Sequence, residues 1–275
     1  MPGIKERAKK IAESNAALYF VWCCLRKVKS CATLGWAILS GREKYCIVCG
    51  HRVAKFAPLT TTHSDIFRKY HIIGGWFSYN CICPHCGIWD RMRWQYYVLK
   101  NHSGILSGEC SVLHFAAEKS NSALIRQNKQ CRYITADIQP GHGDVVADIT
   151  NMPVFADGTF DYIIANHILE HIPDEAKAIS ELKRVLKDDG IIILSFPICT
   201  DKPTYEDPSI TTEAGRWEAF GQGDHVRLYG TDYKERLEKY GLEVAVYSPE
   251  KELTDAEITY YGFIPDDVSI FCRKR

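Results

Sequence analysis

Residues 111–198 constrain the fold more than any other stretch. Val112-Leu113-His114-Phe115-Ala116 is an apolar run, broken by the polar turn Glu118-Lys119-Ser120-Asn121, and Ser122 to Asn128 reads as a short helix. Tyr133 to Asp137 is a second strand that ends on a carboxylate, Asp161 to Asn166 a third, and Gly190 to Phe196 a fourth. Strands alternating with helices at this spacing predict a parallel sheet with crossover helices. Ligands of such sheets bind at the carboxyl ends of the strands, near the point where strand order reverses. Asp137, Asp148 and Asn166, at or just past those ends, are polar groups suited to a nucleoside.

Three segments carry a family resemblance. They are Asp148-Ile-Thr-Asn-Met-Pro-Val-Phe-Ala-Asp-Gly-Thr-Phe-Asp161, Asn166-His-Ile-Leu-Glu-His-Ile172, and Glu181-Leu-Lys-Arg-Val-Leu-Lys-Asp-Asp-Gly190. In order and spacing they resemble class I S-adenosylmethionine-dependent methyltransferases of the type 11-like group. The resemblance implies an α/β fold with a Rossmann-like seven-stranded sheet, and S-adenosyl-L-methionine as cofactor. The family usually carries Asp-x-Gly-x-Gly-x-Gly in its first loop. Here that loop is His114-Phe-Ala-Ala-Glu-Lys-Ser120, similar to a Leu-His-x-Ala-Pro-Glu subfamily with Ala117 in place of Pro. Without glycines the backbone approaches a ligand less closely.

The resemblance and the residue chemistry together assign a site. Asp137, followed by Ile138, is expected to accept from the ribose hydroxyls, because a carboxylate is acceptor-only and can be bidentate. A helix cap is the bland alternative. Asp148 is expected at the adenine amino group with the backbone of Ile149 nearby. His114, Phe115, Ala116 and Glu118 should wrap the methionine end, Glu118 binding the ammonium or capping the next helix. Asn166 and His167 should face the methyl group. Neutral imidazole can take a hydroxyl or amine proton near pH 7, which makes His167 a candidate base, set against a structural role. His171 is expected to orient the loop beside the acceptor.

Residues 197–230 form a long insertion after the fourth of these strands, rich in aromatics and glycines. Loops of this length inside a compact domain are usually functional, and a substrate lid is expected, with an ordered loop held by its own ion pairs as the alternative. Within it, Asp224 and His225 are further catalytic candidates. Arg216, Arg227 and Tyr229 are expected to contact the acceptor, Arg227 as a clamp for an anionic group. Glu243 to Ser248 and Val268 to Arg273 read as a terminal strand pair that completes the sheet with one antiparallel strand. The connection between them can bear further substrate contacts.

Upstream lies a different chemistry. Cys46-Ile-Val-Cys49-Gly50 and Cys83-Pro-His-Cys86-Gly87 are two Cys-x-x-Cys knuckles. Four thiolates in two such pairs can wrap one tetrahedral Zn2+, and a closed four-sulfur sphere is structural. Cys81 is a rival ligand at a poorer spacing, and buried or redox-active thiols are the alternative. The knuckles also resemble the zinc-ribbon-like module that accompanies the subfamily, with Asp90 and Arg91 as its acidic-basic pair. The chain therefore divides into a helical segment 1–40, a zinc-ribbon-like module 41–90, a linker helix within 91–110 and a methyltransferase domain 111–275 with lid 197–230.

With 34 basic and 34 acidic residues the formal net charge is zero, so nucleic acid is not the expected partner. Twelve cysteines and no evident cleavable signal fit reduced thiols and a cytoplasmic setting. Residues 15–39 are apolar but interrupted by Arg26, Lys27 and Lys29. That pattern fits a helix packing on the domain or on a partner protein, or an interfacial helix with Trp22 and Trp36 at a membrane surface. The leading function is methyl transfer to an O or N atom of a small-molecule or glycan-type acceptor. Alternatives are aminocarboxypropyl transfer or cyclisation from the same cofactor, and a catalytically inactive scaffold subunit.

Overall fold

The structure is a computed structural model and describes residues 41–59, 66–74 and 78–275. The expected helical segment 1–40, with the membrane or partner contact at 15–39, lies outside the described residues. In chain order the elements are β1 (Lys44–Tyr45), β2 (Arg52–Val53), β3 (Ala57–Leu59), α1 (Ile66–Lys69), β4 (Ile72–Ile73), β5 (Ser78–Ile82) and α2 (Asp90–His102). They continue through β6 (Cys110–Phe115), α3 (Lys119–Ile125), β7 (Cys131–Asp137), β8 (Val145–Val146), β9 (Phe160–Asn166), α4 (Glu175–Val185) and β10 (Leu186–Ser195). After these come β11 (Ile198–Cys199), β12 (Tyr205–Glu206), α5 (Glu213–Phe220), β13 (Arg227–Leu228) and α6 (Tyr233–Lys239). The last are β14 (Leu242–Tyr247), α7 (Pro249–Glu252), α8 (Asp255–Tyr261) and β15 (Ser269–Lys274).

Seven strands make the central sheet in the order β14-β15-β10-β9-β6-β7-β8. β15 runs antiparallel to both of its neighbours, and the remaining pairs β10·β9, β9·β6, β6·β7 and β7·β8 are parallel. This is the Rossmann-like seven-stranded sheet that the sequence predicts, including its single reversed strand. Strand order reverses between β6 and β9, which places a ligand crevice at their carboxyl ends.

The strands are apolar on both faces because both faces are covered. Leu113, Phe115, Ile163, Ala165, Ile192 and Leu194 pack toward Leu182 of α4 and Leu237 of α6. Their neighbours Val112, Ile164, Ile191 and Ile193 pack the other way, on Trp94, Val98 and Leu99 of α2 and Ile258 of α8. In α4 the buried positions Ala178, Ile179, Leu182 and Val185 fall on one helical stripe, and the Asp174 carboxylate caps the start by accepting from Lys177 N at 3.0 Å.

Residues 197–230 differ from the loop the sequence suggests. β11 pairs with β4 from the upstream segment, β12 pairs with β13, and Phe220 of α5 packs with Cys199 of β11 and Leu228 of β13. The upstream segment meets the downstream part of the chain a second time at Gly262. Its left-handed backbone ends α8, and a Cβ there would stand 2.4 Å from the Phe56 ring, so only glycine admits that ring.

Candidate active site and cysteine cluster

Strand register lines up the expected cofactor residues. His114 of β6 pairs with Thr135 of β7 and with Ile164 of β9, while Asn166 at the end of β9 pairs with Ser195 of β10. Asp137 ends β7 beside Val146, and Ala147 N donates to Asp137 O at 3.0 Å, so the Asp137 and Asp148 tips are neighbours. The carboxyl ends of β8, β7, β6, β9 and β10 therefore form one continuous rim.

Two non-glycine residues on that rim have left-handed backbones: Ala116 just past β6 (φ 44°) and His167 just past β9 (φ 54°). Such conformations cost free energy in any residue with a Cβ and cluster at functional sites. The first loop thus makes its turn on an alanine and without a glycine. Ala116 N is held by Ala136 O at 2.9 Å, and His167 N by Ser195 O at 2.7 Å.

The side chains around the rim are unusually short of partners. His114 is buried, with Nδ1 2.8 Å from the Tyr133 hydroxyl and Nε2 3.5 Å from Glu118 Oε2. Buried polar atoms without a hydrogen-bond partner include His114 Nε2, Glu118 Oε2, Arg91 Nε, Asn166 Nδ2, Glu170 Oε2, His225 Nδ1 and Asp90 Oδ2. Natural proteins leave few such atoms, and each calls for an explanation. Arg91 and Glu118 line one cleft, together with Gly74, His167, Ser195 and Asp267. Burial would raise the Glu118 carboxyl, but the neighbouring His114 and Arg91 outweigh it and hold the group at about 2. It stays an anion.

Asp267 is the residue that sequence reasoning missed by name. It is buried, and desolvation, with Asp90 nearby, pushes its carboxyl up to about 7 against the opposing pull of His167 and Arg91. Its position follows from topology. β15 is antiparallel, with Ile270 opposite Leu194, so the approach to its first residue meets the carboxyl end of β10. Arg91, in the first turn of α2, places Nη1 3.5 Å from His167 Nε2.

Asp137 is half-buried and accepts from Gln139 N at 2.8 Å, and the next residue, Ile138, is 65% exposed. Asp148 is exposed and accepts from the Thr150 backbone and hydroxyl, while the Ile149 side chain is buried in the core. Phe115 is also a core side chain, so it can meet a ligand only through its backbone.

The 197–230 segment is fastened down. Arg227, expected as an acceptor clamp, is buried and donates instead to the carbonyls of Leu169, Ile172 and Pro173 and to Glu206. Tyr229, expected at the acceptor, is buried too, stacked on Phe196 at 3.7 Å with its hydroxyl donating to Glu175. Both are claimed by structure because unpaired backbone carbonyls and a buried carboxylate need donors. Arg216 on α5 donates to Ile210 O at 3.4 Å. Asp224 is exposed, with Oδ2 3.2 Å from His171 Nδ1, and the His171 and His225 rings meet edge-on at 4.6 Å. A groove of about 930 Å3 runs along this segment, bordered by Tyr70, Cys199, Lys202, Tyr205 and Trp217.

The four knuckle cysteines converge. Both knuckles close identically: Gly50 N donates to Cys46 O and Gly87 N to Cys83 O, each at 2.8 Å, with both glycines left-handed. All four sulfurs lie within 4.8 Å of one another. The Cys46–Cys86 and Cys49–Cys83 separations are 3.8 and 3.9 Å. A tetrahedron with Zn–S bonds of about 2.3 Å has S···S edges of about 3.8 Å. Hydrogen bonding between Cys46 and Cys83 drives the first thiol up and the second down to about 4. Cys81 stands apart, bonded to Asp90 at 3.3 Å and pushed up to about 12, foremost by burial.

Residues 108–194 match the family model described as a methyltransferase domain. A demethylmenaquinone methyltransferase of Staphylococcus epidermidis is 33% identical over 81 residues, 30% of each chain. The match thus spans less than a third of that relative's length. Among solved structures, a SAM-dependent methyltransferase from Archaeoglobus fulgidus aligns with TM-score 0.43 and 15% identity, over 66% of this chain and 93% of that one. A Burkholderia thailandensis 1,6-didemethyltoxoflavin-N1-methyltransferase, solved with 1,6-didemethyltoxoflavin and S-adenosylhomocysteine, aligns at 0.42 and 13%, over 66% and 77%.

Proposed function

We propose that this chain, whose residues 108–194 match a methyltransferase-domain family, is an enzyme that transfers a methyl group from S-adenosyl-L-methionine to an O or N atom of a small-molecule or glycan-type acceptor. The observation that supports it best is the ring of unpartnered buried polar atoms at the ends of β6 and β9, next to two acidic tips at the ends of β7 and β8. When bound, the cofactor supplies an electrophilic methyl on a sulfonium.

The chain's own residues account for the rest. Asp137 holds the ribose hydroxyls, and the exposed Ile138 offers an apolar face to the adenine beside Asp148. The anionic Glu118 and the free Asn166 amide take the ammonium and carboxylate of the methionine end. Opposite charge and open hydrogen-bonding capacity meet there without further desolvation cost. A nucleophile must lose its proton as it attacks. His167 and Asp267 face the same cleft, and a carboxyl at about 7 is matched to general-base work near neutrality. The 930 Å3 groove under residues 197–230 is roomy enough to admit a drug-sized acceptor.

The Cys46, Cys49, Cys83 and Cys86 cluster is read as a structural zinc site, on the match between its sulfur separations and a zinc tetrathiolate. Its position, joined to α8 through Phe56 and to β11 through β4, suits a module that buttresses the acceptor side.

Isothermal titration with S-adenosylmethionine and S-adenosylhomocysteine tests the reading. Binding is expected for both, weakened about tenfold or more in Asp137→Ala by loss of charged hydrogen bonds. Absence of binding would favour the scaffold reading. Methylthioadenosine as product in place of S-adenosylhomocysteine would favour transfer of another sulfonium substituent.

A further inference from the structure

We propose that Glu170, His171 and His225 bind one divalent transition-metal cation, at a site separate from the cysteine cluster. One ligand atom from each of the three lies within 4.8 Å of the others. Two of these side chains are almost wholly buried, Glu170 at 1% and His225 at 3% exposure. Each keeps an atom with no partner, Glu170 Oε2 and His225 Nδ1. An unpaired buried carboxylate oxygen and an unpaired buried imidazole nitrogen are costly separately. With its proton on Nε2, neutral His225 offers Nδ1 as an acceptor like the carboxylate oxygen, so neither atom can satisfy the other. A cation between them satisfies both.

The surroundings are built for this. Glu170 Oε1 is 3.3 Å from His167 Nδ1, which fixes the carboxylate plane and leaves Oε2 free. Asp224 Oδ2 is 3.2 Å from His171 Nδ1, the carboxylate–histidine pairing that sets tautomer and ring orientation at metal sites. The two segments are cross-linked: Val226 N donates to Glu170 O at 2.8 Å, and Arg227 holds the Leu169 and Ile172 carbonyls on either side. The Arg227 charge is itself committed to those carbonyls and to Glu206. Two imidazoles and one carboxylate leave coordination positions open and suit Mn2+, Fe2+, Co2+ or Zn2+ better than the all-oxygen cations. A hydroxyl of the acceptor could complete the sphere. That last role rests on the methyltransferase reading; metal binding does not.

Manganese electron paramagnetic resonance on the full chain separates this site from the thiolates, which are poor ligands for Mn2+. The free Mn2+ signal should fall by one equivalent per chain in the wild-type protein. Glu170→Gln and His225→Ala should each weaken retention by about tenfold or more. His102→Ala, which removes a histidine–carboxylate pair with Glu252 elsewhere, should retain Mn2+ like the wild type. Should a buried-site variant fail to fold by circular dichroism, His171→Ala, whose ring is partly exposed, decides in its place. No Mn2+ uptake at millimolar concentration, or equal uptake in all variants, would overturn the proposal.

Discussion

Asp267 carries a pH signature that can be worked out by sign. Its carboxyl titrates at about 7 when folded and near 4 in an unfolded chain. Between those values the folded state holds a proton that the unfolded state has lost. Stability therefore falls as pH rises from about 4 to about 7, by at most about 4 kcal/mol from this group, and is flat above. Asp267→Asn should remove that slope in urea midpoints measured at pH 5 and pH 8, and should raise stability at pH 8. In activity the sign reverses. A base with this pKa works better as it loses its proton, so kcat/KM should climb through neutrality in the wild type and lose that limb in Asp267→Asn. At Ala116 the left-handed backbone makes a different prediction. Ala116→Val adds β-branching to a strained position and should cost about 1–3 kcal/mol, whereas Ala116→Gly should be close to neutral, both read from denaturant midpoints.

At the scale of elements, the second knuckle hangs on one side chain. Arg93 of α2 is buried and donates to the carbonyls of Cys81, Ile88, Asn80, Tyr261 and Gly262, with its guanidinium 3.8 Å from the Phe56 ring centroid. Arg93→Ala would strip donors from buried carbonyls on three segments at once. A loss of about 3 kcal/mol or more is expected, seen as a lower melting temperature. Cys46→Ser should in turn release the proposed zinc, detected with a chromogenic chelator, and lower the melting temperature in the same direction. The knuckles were legible because Cys-x-x-Cys-Gly encodes its own turn. The seven-stranded sheet with its one antiparallel strand was legible because strand and helix periods alternate cleanly. Asp267 and the buried roles of Arg227 and Tyr229 were not. Nothing local distinguishes Asp267 from Asp266 beside it; only the antiparallel return of β15 brings one of them to the cleft. Nor does a sequence say that an arginine will be spent on the carbonyls of a turn 55 residues upstream, as Arg227 is on Ile172.

Over the whole molecule, the upstream segment, the sheet and residues 197–230 are mutually pinned. β4 pairs with β11, Phe56 fills the space under Gly262, and Arg236 links Glu175 of α4 to Glu206 of β12. A lid that swings as a loop would break these contacts, so acceptor entry is read as passing along the groove beside Trp217 and Tyr205 and not through wholesale opening. Among the described residues no helix is long and apolar enough to cross a membrane. Trp217→Ala should accordingly raise KM for the acceptor more than it lowers kcat, with S-adenosylmethionine binding unchanged in titration. The position of β15 has one more consequence. It occupies an inner slot between β10 and β14 although it is made after both, so the sheet cannot zip up while residues 269–274 are still inside the ribosomal tunnel. Until they emerge, the nascent polypeptide carries two open strand edges, and that interval is when a chaperone would find most to hold.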